Sequence, residues 1–228
     1  MALIGHLRDE KSLAPYTTQV QALCEWFKSS YLELNVGKTK ELVIDQRKGK
    51  EMSTPLVIGN EEVERVTTFK YLGTVIDDSL NFTEHVGTVH KKAQQRLYLI
   101  RKLRSFNVSE HILVDVYRAL VESVITFNIV SWYGQTSVTT KNKLRRVINT
   151  ASRIVGSQQL SLSHLYDSAL VRKATQIMLD PTHPLNPRFE PMPSGRRLRV
   201  PLVKKNVYRR SFIPSAISAV NKQKTISD

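Results

Sequence analysis

The chain predicts an α+β fold: a small antiparallel sheet first, a mainly helical bundle next, and an irregular basic tail last. Three observations lead there. Before residue 82, short apolar runs are separated by turn residues, as in Leu56-Val57-Ile58-Gly59-Asn60. After residue 82 the apolar period lengthens from two to about 3.6, the repeat of a helix face. Between residues 181 and 193, Pro181, Pro184, Pro187, Pro191 and Pro193 interrupt any regular element. The expected organisation is therefore 1–80, 81–180 and 181–228.

Each element has its own signal. Ser12 to Ser30 reads as a helix, because Val20, Leu23 and Phe27, with Cys24 and Trp26 beside them, recur at spacings of three and four. Gly37 breaks the next stretch, and Glu41 to Asp45 reads as a short strand. Gln46 to Thr54 is polar and basic, a loop. Leu56 to Val66 reads as a hairpin turning at Gly59-Asn60, residues that tolerate positive φ. Phe69 to Ile76 is a further extended stretch with Gly73 in its middle. Thr83 is placed to cap a helix whose inner face is Val86, Val89, Ala93, Leu97, Ile100 and Leu103. Ser109 opens a second helix that runs to about Trp132-Tyr133-Gly134. A third spans Lys141 to Val155 and stops at Gly156, a C-terminal glycine. Ser161 to Leu179 is a fourth, and a short last helix starts near Pro214 and ends near Asn221.

Composition excludes several classes. A chain of 228 residues with 41% hydrophobic and 24% charged content can bury an ordinary core. No apolar run reaches the roughly 20 residues that cross a bilayer, and the N-terminus has no basic stretch leading into an apolar one. One cysteine, Cys24, excludes an internal disulfide framework and a multi-thiolate zinc site. These features predict an intracellular setting. Net charge is +14, unevenly spread. Residues 1–84 hold 10 Lys and Arg against 13 Asp and Glu, whereas residues 85–160 hold 12 against 3 and residues 181–228 hold 10 against 2. Positive charge confined to part of a chain favours a polyanion partner there, through phosphate contacts and counterion release.

Three clusters add detail. Leu34-Asn35-Val36-Gly37-Lys38-Thr39-Lys40-Glu41 puts a lysine on a turn beside a strand, where it offers a point charge to phosphate while Thr39 orients it; a plain surface turn would look the same. Phe69-Lys70-Tyr71-Leu72-Gly73 lets a backbone approach closely at Gly73, and also suits a core strand. Lys91-Lys92-Ala93-Gln94-Gln95-Arg96-Leu97-Tyr98, then Tyr117 to Ser123, then Trp132-Tyr133-Gly134, form a basic helical stretch. In this order the clusters resemble the late palm, primer grip and thumb of LINE-type (non-LTR) retrotransposon reverse transcriptases. Asp180 to Pro184 and Pro193 to Arg199 resemble the region beyond the thumb.

The resemblance implies a remnant of palm sheet packed on a helical thumb. It implies RNA or DNA as partner and no cofactor. The contacts it implies are Lys38, Thr39 and Lys40 near phosphates, and Phe69, Tyr71 and Gly73 at a primer-grip hairpin. Lys91, Lys92, Arg96, Arg101, Lys102 and Arg104 would serve on the first thumb helix, Arg145 and Arg146 on the third, and Arg196, Arg197, Arg199, Arg209 and Arg210 in the tail. Met1 to Gly5 resembles the segment immediately beyond the family's metal-binding aspartate pair, so a non-catalytic chain is expected. Asp77-Asp78 comes after the primer-grip-like cluster instead of preceding the Asn-x-x-Lys-Thr motif, and is expected to serve a turn or a helix entry. The six histidines (His6, His85, His90, His111, His164 and His183) form neither His-x-Asp nor His-Glu-x-x-His.

Part of the thumb-like stretch also resembles the N-terminal region of the eighth AlkB homologue, a tRNA-modifying dioxygenase–methyltransferase. The iron motif and nucleotide-binding glycine loop of such an enzyme are missing from this sequence. A pseudogene-like product with open strand edges and no partner is the remaining alternative.

Overall fold

The computed structural model describes residues 1–7, 13–45 and 55–227, and the loop expected over Gln46 to Thr54 lies outside them. The chain is α+β and divides into two compact units, Met1–Ser79 and Leu80–Asp228. The basic tail expected as a separate segment from residue 181 belongs to the second unit.

In the first unit, α1 (Leu13–Ser29) buries Val20, while Trp26, expected on the apolar stripe, is exposed. A 3-10 turn at Val36–Lys38 leads into β1 (Lys40–Leu42). This strand pairs in parallel with β4 (Glu64–Val66), setting Lys40 opposite Glu64 and Glu41 opposite Arg65. Both opposed pairs are ion pairs, Arg65 Nε donating to Glu41 Oε2 at 2.8 Å. Opposite charges facing each other across neighbouring strands fix the register. β2 (Val57–Ile58) and β3 (Glu61–Glu62) form the expected hairpin about Gly59, at φ 64°.

Two expectations for this unit need correction. Phe69 to Ile76 is not one extended stretch: β5 (Thr68–Tyr71) and β6 (Thr74–Asp77) fold back on each other about Leu72 and Gly73, at φ 45° and 86°. Positive φ at both central residues is the backbone of a two-residue turn whose twist matches the strands. Nor is there a single antiparallel sheet among the described residues. The strands form three separate pairs, one of them parallel.

The second unit is helical. α2 (Thr83–Ser105) buries His85, Val86, Val89, Ala93, Leu97 and Ile100, the helical period read from the sequence. Thr83 does not cap it. The preceding Phe82 is buried in the left-handed region at φ 56°, and Asn81 Oδ1 accepts the Thr83 N–H at 2.8 Å. α2 packs on α6 (Val138–Val155), which buries Leu144, Val147, Ile148, Ala151 and Val155. Ser137 caps α6 by accepting the Thr140 N–H, and Gly156 at φ 100° ends it. Each large aliphatic side chain fully buried here contributes roughly 1.5–3 kcal/mol.

The helix expected from Ser109 to Gly134 is broken instead into α3 (Glu110–Tyr117), a π-helical turn (Arg118–Glu122), α4 (Ser123–Thr126) and α5 (Ile129–Trp132). Asn128 takes φ 49°, which an asparagine tolerates better than most residues. The carbonyl of Phe127, freed by that break, accepts the Trp132 indole N–H at 3.0 Å. α7 (Leu162–Leu179), capped by Ser161, packs against α5 and against α9 (Phe212–Ser227). α9 begins two residues before the predicted Pro214, which falls in its first turn where no N–H is required, and it runs on past the predicted end at Asn221.

Before α9 comes a short helix, α8 (Asn206–Arg209). The proline-rich connector is irregular but held. Asn221 donates to the Leu198 carbonyl and accepts its N–H at 2.9 and 2.8 Å, and Phe189 meets Phe212 edge to face.

Candidate nucleic-acid interface

The cations proposed from sequence sort into those that face solvent and those already engaged. On α2, Lys91, Lys92, Arg101, Lys102 and Arg104 are exposed. Lys102 holds its ammonium 5.9 Å from the centre of the Phe106 ring. Arg104 Nη2 and Glu110 Oε2 both lie within 4 Å of where a side chain at Gly156 would begin. That sets a guanidinium and a carboxylate together at the C-terminal end of α6. On α6, Arg145 and Arg146 are exposed on the side away from its buried residues.

Arg96 is an engaged cation. Its Nη1 donates to the Leu120 carbonyl at 2.6 Å, and the side chain is half-buried. The bond ties α2 to the π turn. Lys40 is another: its ammonium pairs with Glu64 and donates to the Gly37 carbonyl at 3.1 Å. Thr39 Oγ1 donates to the Asn35 carbonyl at 2.9 Å, and Asn35 Oδ1 accepts the Lys38 N–H at the same distance. Asn35 to Thr39 is thus a turn stabilised by its own side chains. Lys38 remains an exposed charge.

Phe69 and Tyr71 lie on β5 of the β5–β6 hairpin and both are exposed, with Leu72 at its tip 77% exposed. Gly73 supplies the positive φ that the turn requires. Asp77 ends β6 with Oδ1 accepting the Ser79 N–H at 3.1 Å, the turn role expected of it. In the tail, Arg196 and Arg197 are exposed. Arg199 Nη1 lies 3.9 Å from Glu190 Oε2, with both side chains largely in solvent. Such a pair is worth little and leaves the guanidinium available. Arg209 donates to the Val203 carbonyl at 3.3 Å. The exposed Arg210 contributes its main chain to the packing around Gly134.

Sequence reasoning missed two groups. Tyr98 and Phe106, 60% and 70% exposed, project beside the α2 cations. Tyr98 was legible, since it falls opposite the apolar stripe at helical spacing. The second group surrounds Tyr133, whose ring stacks at a tilt on Tyr166 at 4.5 Å and carries Lys141 4.2 Å above its centroid. Burial, with Arg210 nearby, holds the Lys141 ammonium below its ordinary pKa. Burial and the Asp167 carboxylate push the Tyr133 phenol up. The raised phenol opposes deprotonation of the tyrosine, and the group reads as a packed joint.

Other chemistries find little support in the geometry. Among the described residues no three His, Cys, Asp or Glu side chains gather into a group able to hold a metal ion. A shallow groove along α3 is lined by Glu110, His111, Val114, Asp115 and Arg118, and its two carboxylates oppose a phosphate. No described helix is long and apolar enough to cross a membrane.

Residues 82–123 match a family described as alkylated DNA repair protein alkB homolog 8, N-terminal. The matched stretch covers α2, α3 and the π turn, under a fifth of the chain. No curated protein and no solved structure matches.

Proposed function

We propose that this chain binds nucleic acid through the exposed cations of its helical unit, gripping phosphates without reading base sequence, and that it performs no chemistry of its own. The supporting observation is the 12-to-3 excess of basic over acidic residues in 85–160, with all but one of the α2 and α6 candidates in solvent. Such a surface supplies the electrostatic, sequence-independent part of nucleic-acid affinity.

The finer proposal is a thumb-like unit of LINE polymerase type. It rests on the order of the sequence clusters and on the tight hairpin at Leu72-Gly73. No curated or solved relative adds weight to it.

A second reading is favoured by the match over 82–123: these residues would do what the corresponding N-terminal segment does in proteins of the alkB homolog 8 kind. The repair name also points to nucleic acid. It would bring iron and 2-oxoglutarate, or S-adenosylmethionine, only where residues exist to hold them. His85, His90 and His111 belong to no metal-holding group among the described residues, so the residues present do not fit an iron site.

Fluorescence anisotropy of the full chain with several scrambled duplexes tests the main reading. Affinities within about threefold of one another, all falling as salt rises, are expected. A tenfold preference for one sequence would overturn it.

A further inference from the structure

We infer that the outer line of α2 is a stacking platform for unpaired bases, so that the preferred ligand of the basic surface is single-stranded nucleic acid. The inference rests on the phosphate-binding reading and specifies its substrate. Lys91, Gln95, Tyr98 and Lys102 succeed one another at spacings of four, three and four, which places them along one line of the helix. All four are exposed, opposite the buried Val89, Ala93, Leu97 and Ile100. Phe106, one further step of four, caps the helix C-terminus and continues the line.

A surface built only for phosphates has no use for exposed rings. Here a phenol and a phenyl alternate with two ammonium groups, and the Lys102 ammonium already sits over the Phe106 ring. At about 1.5 Å of rise per residue, the rings lie roughly 12 Å apart along α2. A paired base keeps its faces within the duplex stack and offers nothing to either ring. An unpaired base can lay its face on the ring while Lys91 and Lys102 hold the flanking phosphates. Gln95 stands three residues before Tyr98, a neighbour on the helix surface, and its amide is able to bond any base edge, which suits a sequence-tolerant site. The charge excess of 85–160 supplies the complementarity that commits this face to a polyanion.

The test is anisotropy of the full chain with labelled oligo(dT), oligo(U) and a mixed duplex, each about 20 nucleotides or base pairs long. A pure phosphate binder prefers the duplex for its higher charge density. The platform predicts a single strand, of one sugar or both, held at least as tightly. Tyr98→Ala and Phe106→Ala should each weaken single-strand binding about fivefold or more while leaving duplex binding unchanged. Tyr98→Phe, which keeps the ring, should restore it. Alanine variants that bind single strands like the wild type, or that weaken the duplex equally, would overturn the platform and leave the phosphate reading standing. Absence of binding to every probe would overturn both.

Discussion

Arg96 and His85 show how position within one helix divides like residues into different roles. Arg96 carries the same charge as Arg101, five residues on, yet its guanidinium is spent on the Leu120 carbonyl while Arg101 faces solvent. The basic run was legible in the sequence; the claim on Arg96 was not, because its partner carbonyl lies 24 residues away and meets it only through the packing of α2 on the π turn. Lys40 was opaque for a related reason, its partner Glu64 being set by strand register. His85 is buried on the inner face of α2, edge to face with Trp132. Burial, aided by the Lys92 charge, holds its imidazole below the ordinary value of 6.5. The unfolded chain then takes up a proton that the folded chain refuses. The stabilisation is full above about pH 6.5 and is lost as pH falls from there towards the folded pKa. Glu122, whose carboxyl burial pushes up, acts with the opposite sign, but it is common to both proteins in a comparison with His85→Gln. That variant should lose less melting temperature between pH 7.5 and 5.5 than the wild type. Equal losses would show that His85 does not titrate as described.

Among the elements, legibility followed the presence of side-chain punctuation. α6 and α7 carry Ser137, Gly156 and Ser161 at their ends, and their observed bounds fall within three residues of those expected. The β5–β6 hairpin was implied by the primer-grip resemblance but not by the local pattern, because a leucine occupies the first left-handed position, where glycine or asparagine would advertise a turn. The break between α4 and α5 carried its own signal in Asn128, a residue suited to the left-handed position, but the apolar residues on both sides kept the helical period running through it. The Trp132-Tyr133-Gly134 cluster, read from sequence as a helix end, is the seat of the C-terminal segment. A Cβ on Gly134 would stand 2.2 Å from the Arg210 carbonyl oxygen and 3.0 Å from the Tyr166 hydroxyl, and Gln135 Nε2 donates to the Val207 carbonyl at 2.6 Å. Because the obstacle is backbone, Gly134→Ala should cost about 1–3 kcal/mol. It should also speed proteolysis between Leu198 and Ser211. A variant with unchanged melting temperature and cleavage pattern would contradict that packing.

Across the whole molecule, charge and core divide between the two units. The first unit is slightly acidic and its described strands form three separate pairs, a kind of sheet that is marginal by itself. The second unit holds the helical core and all of the positive excess. Composition alone located that excess, and the helical period located the faces that carry it. Which cations stay in solvent depended on tertiary bonds. The decisive measurement is the slope of log Kd against log salt for a duplex, taken for the wild type, for a variant with Lys91, Lys92, Lys102, Arg145 and Arg146 changed to Ala, and for Arg96→Ala. The five-site variant should bind more weakly, with a slope shallower by about 0.9 for each phosphate it no longer neutralises, whereas Arg96→Ala should keep the wild-type slope and melt earlier. A five-site variant with the affinity and slope of the wild type would contradict a phosphate-gripping helical face.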